Sequence, residues 1–285
     1  MTRIADLLDQ GPTLSFEFFP PKSPEAEQQL RTALAELAPL EPSFVSVTYG
    51  ALGSTRDTTR EIVIEVNDRY PFPAMAHLTC VGHTRAEVVD LLEGYSAAGV
   101  ENILALAGDP PADGSDPGGD FLYALDLVEL VREAGGFSVG VAAHPELHPR
   151  SDGDREADRL HLVAKLRAAD FGITQFFFDA DHYFRMADEL AARSCSTPVL
   201  AGVMPFLSVV GVRRMAAMNN AAIPDWLSER LDAVDGDPRA VRDLGVEVSV
   251  ALCERLLAGG VPGLHLYALN RSEAATEIVR TLGLR

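Results

Sequence analysis

Lysine is almost missing from this 285-residue chain: Lys22 and Lys165 are the only two among its 24 basic residues, the rest being arginine. That bias reflects genome composition or a solubility strategy, and it makes each lysine worth locating. Positive charge as a whole is short, with 42 acidic residues giving a net charge of -18. A surface of that sign repels phosphate backbones and anionic lipid, which argues against nucleic-acid and membrane partners. Cysteine is equally scarce. Cys80, Cys195 and Cys253 are odd in number and far apart, so they suit neither a disulfide framework nor a zinc cluster. No apolar run is long enough to cross a bilayer, and the opening MTRIADLLDQ lacks the apolar centre of a secretory signal. A soluble, cytoplasmic protein is expected.

What is present is rhythm. Apolar and β-branched runs alternate with helical patterns, the mark of strand-helix units on a parallel sheet. Strands are predicted near residues 14 to 19 (LSFEFF), 43 to 48, 74 to 80, 102 to 107, 137 to 143, 172 to 178, 198 to 204 and 263 to 269. Between them, segments such as SPEAEQQLRTALAEL and TRAEVVDLLEGYSAAG carry apolar residues at helical spacing behind Ser or Thr caps. Eight such units in this length predict an α/β fold, a single (β/α)8 TIM barrel spanning residues 1–285 as one catalytic domain. Two places depart from the repeat. Residues 110 to 120 form a Pro/Gly/Asp loop after strand four, and IPDWLSERLDAV with DPRAVRDLGVEVSVALCERLLAGG predicts extra helices between strands seven and eight.

In such a barrel the chemistry gathers at the C-terminal ends of the strands. There the chain places Glu17, Thr48, Tyr49, His77, Gly108, Asp109, His144, His148, Gln175, Asn270 and Arg271. Alternation in LSFEFF puts Phe16 and Phe18 on one face and Ser15, Glu17 and Phe19 on the other, so Glu17 points into the barrel. Desolvation there is expected to raise its pKa, which suits a general acid; the alternative is a carboxylate paired with Arg271 or a backbone donor. Asp109 either caps the loop or bonds the NH groups of a heterocycle, and Gln175 is either a core amide or a bidentate partner for a planar amide. Lys165 lies in a helical segment, which favours contact with an anionic group over Schiff-base chemistry. His77, His144 and His148 lack metal-site spacing, and neither GxGxxG nor GxxxxGK[ST] occurs. No metal is expected, and any nucleotide must be held by the barrel mouth.

From residue 13 to the C-terminus, SFEFFPPKS, FVSVTYGALGSTRDTT, AHLTC, NILALAGDPP, VAAHPELHPR, ITQFFFDADHYFR, IPDW and GLHLYALNRSEA closely resemble the bacterial-type 5,10-methylenetetrahydrofolate reductases. The resemblance implies noncovalent FAD, NADH or NADPH as co-substrate, and folate and nicotinamide taking turns at one flavin face. It places Glu17 as general acid toward folate N10 and Asp109 beside flavin and pterin. Cofactor contacts fall at Thr48, Tyr49, His77, Gly108, Asp109, Ala124, His144, His148, Asp158, His161 and Lys165. Folate contacts fall at Asp109, Gln175, Tyr267 and Arg271. Small molecules are the implied partners, in a homo-oligomer. Three departures touch the flavin shell: the family's LRGD reads LAGD with Ala107, His144 stands where Tyr or Phe usually precedes Pro145, and the segment between Lys165 and ITQ is one residue shorter and lacks the common AGA turn. Ala107 and His144 keep one alternative in view, a reductase passing hydride from NADH to folate without flavin; a second, a folate- or flavin-binding protein with no turnover, is opposed by Glu17, Asp109 and Gln175 being present together.

Overall fold

The computed structural model describes residues 2–50, 56–109, 115–116 and 118–284. Residues 51–55 of the TYGALGSTRDTT motif, and 110–114 and 117 of the expected loop, lie outside the described residues.

Eight parallel strands close into a barrel in sequence order: β1 Thr13–Phe18, β2 Phe44–Val47, β3 Ala74–Thr79, β4 Asn102–Leu106, β5 Ser138–Ala143, β6 Phe171–Thr174, β7 Val199–Val203 and β8 Gly263–Tyr267. Closure is made by β1 against β8, with Ser15 opposite His265 and Glu17 opposite Tyr267. Among the described residues eleven α-helices accompany the strands: α1 Ile4–Leu8, α2 Pro24–Leu37, α3 Arg56–Arg69, α4 Arg85–Ala97, α5 Ala124–Ala134, α6 Arg155–Ala168, α7 Ala180–Ala192, α8 Val209–Asn219, α9 Asp225–Val234, α10 Pro238–Ala258 and α11 Glu273–Thr281. Local caps set several starts. Ser23 accepts from Ala26 N ahead of Pro24, Thr84 and Glu87 form a reciprocal capping box, and Asp237 caps α10 ahead of Pro238.

Three apolar clusters divide the interior. The largest lies between strands and helices and holds Phe16, Phe18, Val45, Val47 and Leu78 with helix residues such as Leu30, Val63 and Leu127. A second fills the lower barrel with Phe44, Met75, Leu104, Phe171, Ile173 and Leu200, closed from below by Ile4 of α1. That short helix was not anticipated from sequence. It is held by Ile4 N donating to Asn102 Oδ1 at 2.8 Å and Ala5 N to Ser138 Oγ at 3.1 Å.

The third cluster explains the largest boundary difference. Strand six was expected to reach residue 178 but ends at Thr174. Phe176 and Phe178 turn away to pack with Phe206, Leu227, Leu231 and Leu244, whereas Phe177 joins the main core. The extra helices between β7 and β8, α8 to α10, create the surface that draws those two rings out of strand register. Gln175 thus sits just beyond the strand.

Candidate active site

A cavity of about 870 Å³ opens at the C-terminal end of the barrel, lined from most of its strands and the loops that follow them. Glu17 lies in its wall, 8% exposed, and the two flanking phenylalanines pack outward as alternation predicted. Its Oε2 is 3.3 Å from His265 Nε2 and 3.4 Å from His77 Nε2, and Ser46 Oγ donates to it at 3.4 Å. Among the described contacts Arg271 is not its partner; that residue is exposed and does not line the cavity. Beneath the carboxylate, Ser15 Oγ donates to Leu264 O at 3.2 Å and meets His265 Nδ1 at 2.7 Å.

The electrostatics correct one expectation. Burial opposes charge on Glu17, as expected, but it is outweighed by the charge of His77, by the bond and charge of His265 and by the Ser46 hydroxyl, so the net direction is below the ordinary carboxylate value. Burial in turn drives His77 down to about 4, against the pull of Glu17, so near neutrality His77 is an uncharged imidazole. Its Nε2 is buried and lacks hydrogen-bond geometry to any partner, as does Thr79 Oγ1 beside it. Tyr267, which donates to Thr174 O at 2.8 Å, is held as a neutral phenol by burial and by the nearby Glu17. Gly202 makes room for it: a Cβ there would lie 2.2 Å from Thr174 O and 2.9 Å from the Tyr267 hydroxyl.

The opposite wall is basic. Lys165 of α6 reaches the cavity and donates to Ala142 O at 2.9 Å, with burial lowering its pKa to about 8. His144 and His148 meet edge to face with ring centroids 4.6 Å apart. Burial lowers both, His144 to about 3, leaving neutral rings. Arg150 donates from NH2 to Gly108 O at 3.2 Å and from its backbone N to His148 Nδ1 at 3.1 Å. Gly108 has φ +83°, and a Cβ on it would lie 2.4 Å from Val81 Cγ1, so only glycine lets the end of β4 take this path.

At the rim, Asp109 is exposed, and the Gln175 amide donates to Asn219 Oδ1 at 2.9 Å, which α8 fixes through Met215 O. Asn270, itself in the left-handed region, clasps the chain after β1 by accepting from Phe19 N and donating to Phe19 O. Of the site residues read from sequence, Glu17, Thr48, Tyr49, His77, Gly108, Asp109, Ala124, His144, His148, Lys165, Gln175 and Tyr267 line this one cavity. Asp158, His161 and Arg271 are not among the lining residues. Asp158 stands behind the wall, accepting from His148 N at 2.8 Å and pairing with Arg159; exposed His161 stacks on Tyr123. Sequence reasoning missed His265, Ser15, Ser46, Arg150 and Asn219. Alternation in GLHLY, which puts His265 on the face of Tyr267, was the available signal for the first. Among the described residues, no group of three or more His, Cys, Asp or Glu side chains is placed to hold a metal ion, and no helix is long and apolar enough to cross a membrane.

Comparison with known proteins adds a family to this geometry. The Methylenetetrahydrofolate reductase family matches residues 2–283. The 5,10-methylenetetrahydrofolate reductase of Pectobacterium carotovorum subsp. carotovorum is 37% identical over 273 residues, 95% of this chain and 90% of that protein. That of Escherichia coli (strain K12) is also 37% identical, over 95% of this chain and 91% of its own length. Methylenetetrahydrofolate reductase (NADH) 1 of Arabidopsis thaliana is 35% identical over 99% of this chain but only 50% of its own. Among solved structures, an uncharacterized protein from Clostridium thermocellum that binds two copies of 5-methyl-5,6,7,8-tetrahydrofolic acid superposes with a TM-score of 0.66 at 15% identity, covering 98% of each chain. That last likeness speaks for the fold alone.

Proposed function

We propose that this chain, which belongs to the methylenetetrahydrofolate reductase family, reduces 5,10-methylenetetrahydrofolate to 5-methyltetrahydrofolate with electrons from NADH or NADPH, as one catalytic barrel. The observation that carries the reading is Glu17: a carboxylate in the wall of a cavity at the chemically active end of the barrel, held by two imidazoles and a hydroxyl. Glu17 delivers a proton to N10 of the folate. The C–N bond to N10 breaks, and the one-carbon unit is left as an iminium at N5 that accepts hydride. Asp109 and Gln175, at the rim, offer an acceptor and an amide to the pterin edge.

A flavin fits the opposite wall. Lys165 donates there to Ala142 O, and burial lowers its pKa against the pull of Asp158, so an anion brought into the cavity would favour its charged form. Thr79 Oγ1 and His77 Nε2 are buried without hydrogen-bond partners, and Gly108 lets the backbone come close. Arg150, bonded to Gly108 O, brings a guanidinium to the strand end where Ala107 offers none. Lys165 and Arg150 would hold the diphosphate of FAD and neutral His144 and His148 would border it. Bound FAD supplies a two-electron carrier between nicotinamide and folate.

The test is a pair of half-reactions on purified protein. Glu17→Gln should leave reduction of the bound flavin by NADH intact and stop folate reduction, since only the second step needs the N10 proton. Equal loss in both would make Glu17 structural, and a colourless protein that still oxidises NADH with methylenetetrahydrofolate would move the reading to direct hydride transfer.

A further inference from the structure

Gln175 and Asn219 come from different elements and meet on the cavity wall. Gln175 stands one residue beyond β6, its backbone N donating to Ala143 O at 2.8 Å, and Asn219 is the last residue of α8. Both rest on the second apolar core, where Phe176 and Phe178 pack in one cluster with Val212 and Ala216 of α8. Asn220, in the left-handed region, closes the end of α8, and just beyond it Ala222 N donates to Glu146 Oε1 of the β5 loop at 2.9 Å. The Asn219 side chain is therefore presented from a fixed helix end.

The polarity of the contact follows from two backbone groups that cannot reverse. Met215 O only accepts, so the Asn219 atom 2.9 Å from it is the amide nitrogen, which leaves Oδ1 facing Gln175. Phe176 N only donates, so the Gln175 atom 3.3 Å from it is the carbonyl oxygen, which leaves Nε2 facing Asn219. Both ends demand the same bond, Gln175 Nε2 to Asn219 Oδ1, and it is 2.9 Å long.

Counting what remains gives the wall its chemistry. A glutamine amide has two hydrogens on nitrogen and two lone pairs on oxygen. Asn219 takes one hydrogen and Phe176 one lone pair, so a donor and an acceptor are left for a ligand. That pair suits a group carrying the same two functions, as the lactam of a pterin and the carboxamide of a nicotinamide both do. Without Asn219 the amide keeps only the longer Phe176 contact. The terminal torsion of a glutamine is broad and roughly two-fold, so its donor and acceptor would then exchange places.

We infer that Asn219 is a positioning residue that fixes which atoms of the Gln175 amide face the ligand. This rests on the reductase reading of the site and deepens it: β6 carries the ligand-facing amide, and α8, which follows β7, sets its direction. A purely structural role for Asn219 would run through its other bond, to Met215 O one turn back in α8. The two roles separate by substitution. Asn219→Asp keeps an oxygen for Gln175 and loses the donor to Met215 O, whereas Asn219→Leu loses both.

Gln175 is one of four glutamines in the chain, and the other three, Gln10, Gln28 and Gln29, are exposed. In flavin-loaded protein labelled with 15N-glutamine, the side-chain pair that Gln175→Leu deletes should have one hydrogen downfield of the exposed pairs. Asn219→Asp should keep that displacement and Asn219→Leu should abolish it; equal behaviour of the two variants, or a pair untouched by either, overturns the inference. Equilibrium binding of 5-methyltetrahydrofolate gives the second readout. Asn219→Leu should weaken it about three- to ten-fold, the worth of one hydrogen bond, and Asn219→Asp should recover most of that loss. In a Gln175→Leu background Asn219→Leu should add nothing, and additive losses would show that Asn219 does not act through Gln175. Asn219→Ala replaces the leucine variant if that one does not fold. If the unmodified protein binds no folate, the reductase reading falls, and the amide resonances still decide the role of Asn219.

Discussion

Replacing Arg159 by Met should destabilise this barrel more than any surface ion-pair deletion, although Arg159 touches no ligand position. Its side chain is 0% exposed, and four hydrogen bonds absorb the guanidinium. They run to Glu189 Oε2 at 2.6 Å, Asp158 Oδ2 at 2.6 Å, His144 O at 3.1 Å and Pro145 O at 2.7 Å. Methionine replaces the apolar stem but supplies no donor. Glu189 keeps Arg155 at 3.0 Å, so its loss is partly made good. Among the described residues Asp158 keeps the His148 backbone donor and the more distant charge of Lys165, and the two carbonyls that open the loop after β5 lose the guanidinium. Leaving a buried charge without its partner costs about 3 to 5 kcal/mol. At a urea m-value of about 3 kcal/mol per molar, the unfolding midpoint should fall by about 1 to 1.7 M. Arg85→Met is the control, because Arg85 and Glu133 form an ion pair exposed on both sides that is worth about 0 to 1 kcal/mol. Adding Asp158→Asn to Arg159→Met should recover part of the loss by removing the stranded charge. A midpoint for Arg159→Met no lower than that of the Arg85 control would refute the reasoning, since it would mean that the buried charge network is relaxed or hydrated.

Other expectations follow from the cavity wall. The pKa of Lys165 is lowered to about 8 in the folded chain from 10.5, so between those values the unfolded chain binds more protons. Stability of flavin-free protein should therefore rise with pH across that window, by up to about 3 kcal/mol less the part cavity water screens. Lys165→Met should remove this dependence in urea titrations, and a slope unchanged by the substitution would assign it elsewhere. Gly108→Ala forces a side chain to 2.4 Å from Val81 Cγ1 at φ +83°, and should cost about 1 to 3 kcal/mol with loss of retained flavin, read from the visible spectrum. Arg150→Ala should weaken flavin retention at low salt more than at high salt, because its contribution is mainly charge; salt-independent loss would point to the Gly108 carbonyl bond instead.

The barrel was legible because its evidence is redundant. Each strand announces itself by β-branched runs, each helix by spacing and a cap, and closure needs only the count. Misreadings came where a second packing partner intervened. ITQFFFD reads as one long strand until α8 to α10 offer Phe176 and Phe178 another core. The opening residues carry no strong pattern, since the role of α1 is fixed by Asn102 and Ser138, about a hundred or more positions away. Arg159 was invisible for a similar reason. Arginine in an amphipathic helix reads as solvated, and only the fold reveals that Glu189 and two carbonyls enclose it.

The site divides along the same line. Strand-end position located Glu17, His77, Asp109 and Gln175, and alternation gave Glu17 its inward direction, because both depend on one strand at a time. The charge of Glu17 depends on four strands at once, β1, β2, β3 and β8, meeting around the closure of the barrel. Ser15 and Ser46 are small polar residues inside apolar runs, a pattern that in isolation says only that a strand is buried. Desolvation alone, the term available from sequence, set the expected direction of the Glu17 pKa. The opposing terms come from His77 and His265, which lie 60 and 248 positions away in the chain. Those terms outweigh desolvation, so the net direction is downward. The carboxylate thus takes its charge state from a histidine that only the closing of β1 against β8 brings beside it.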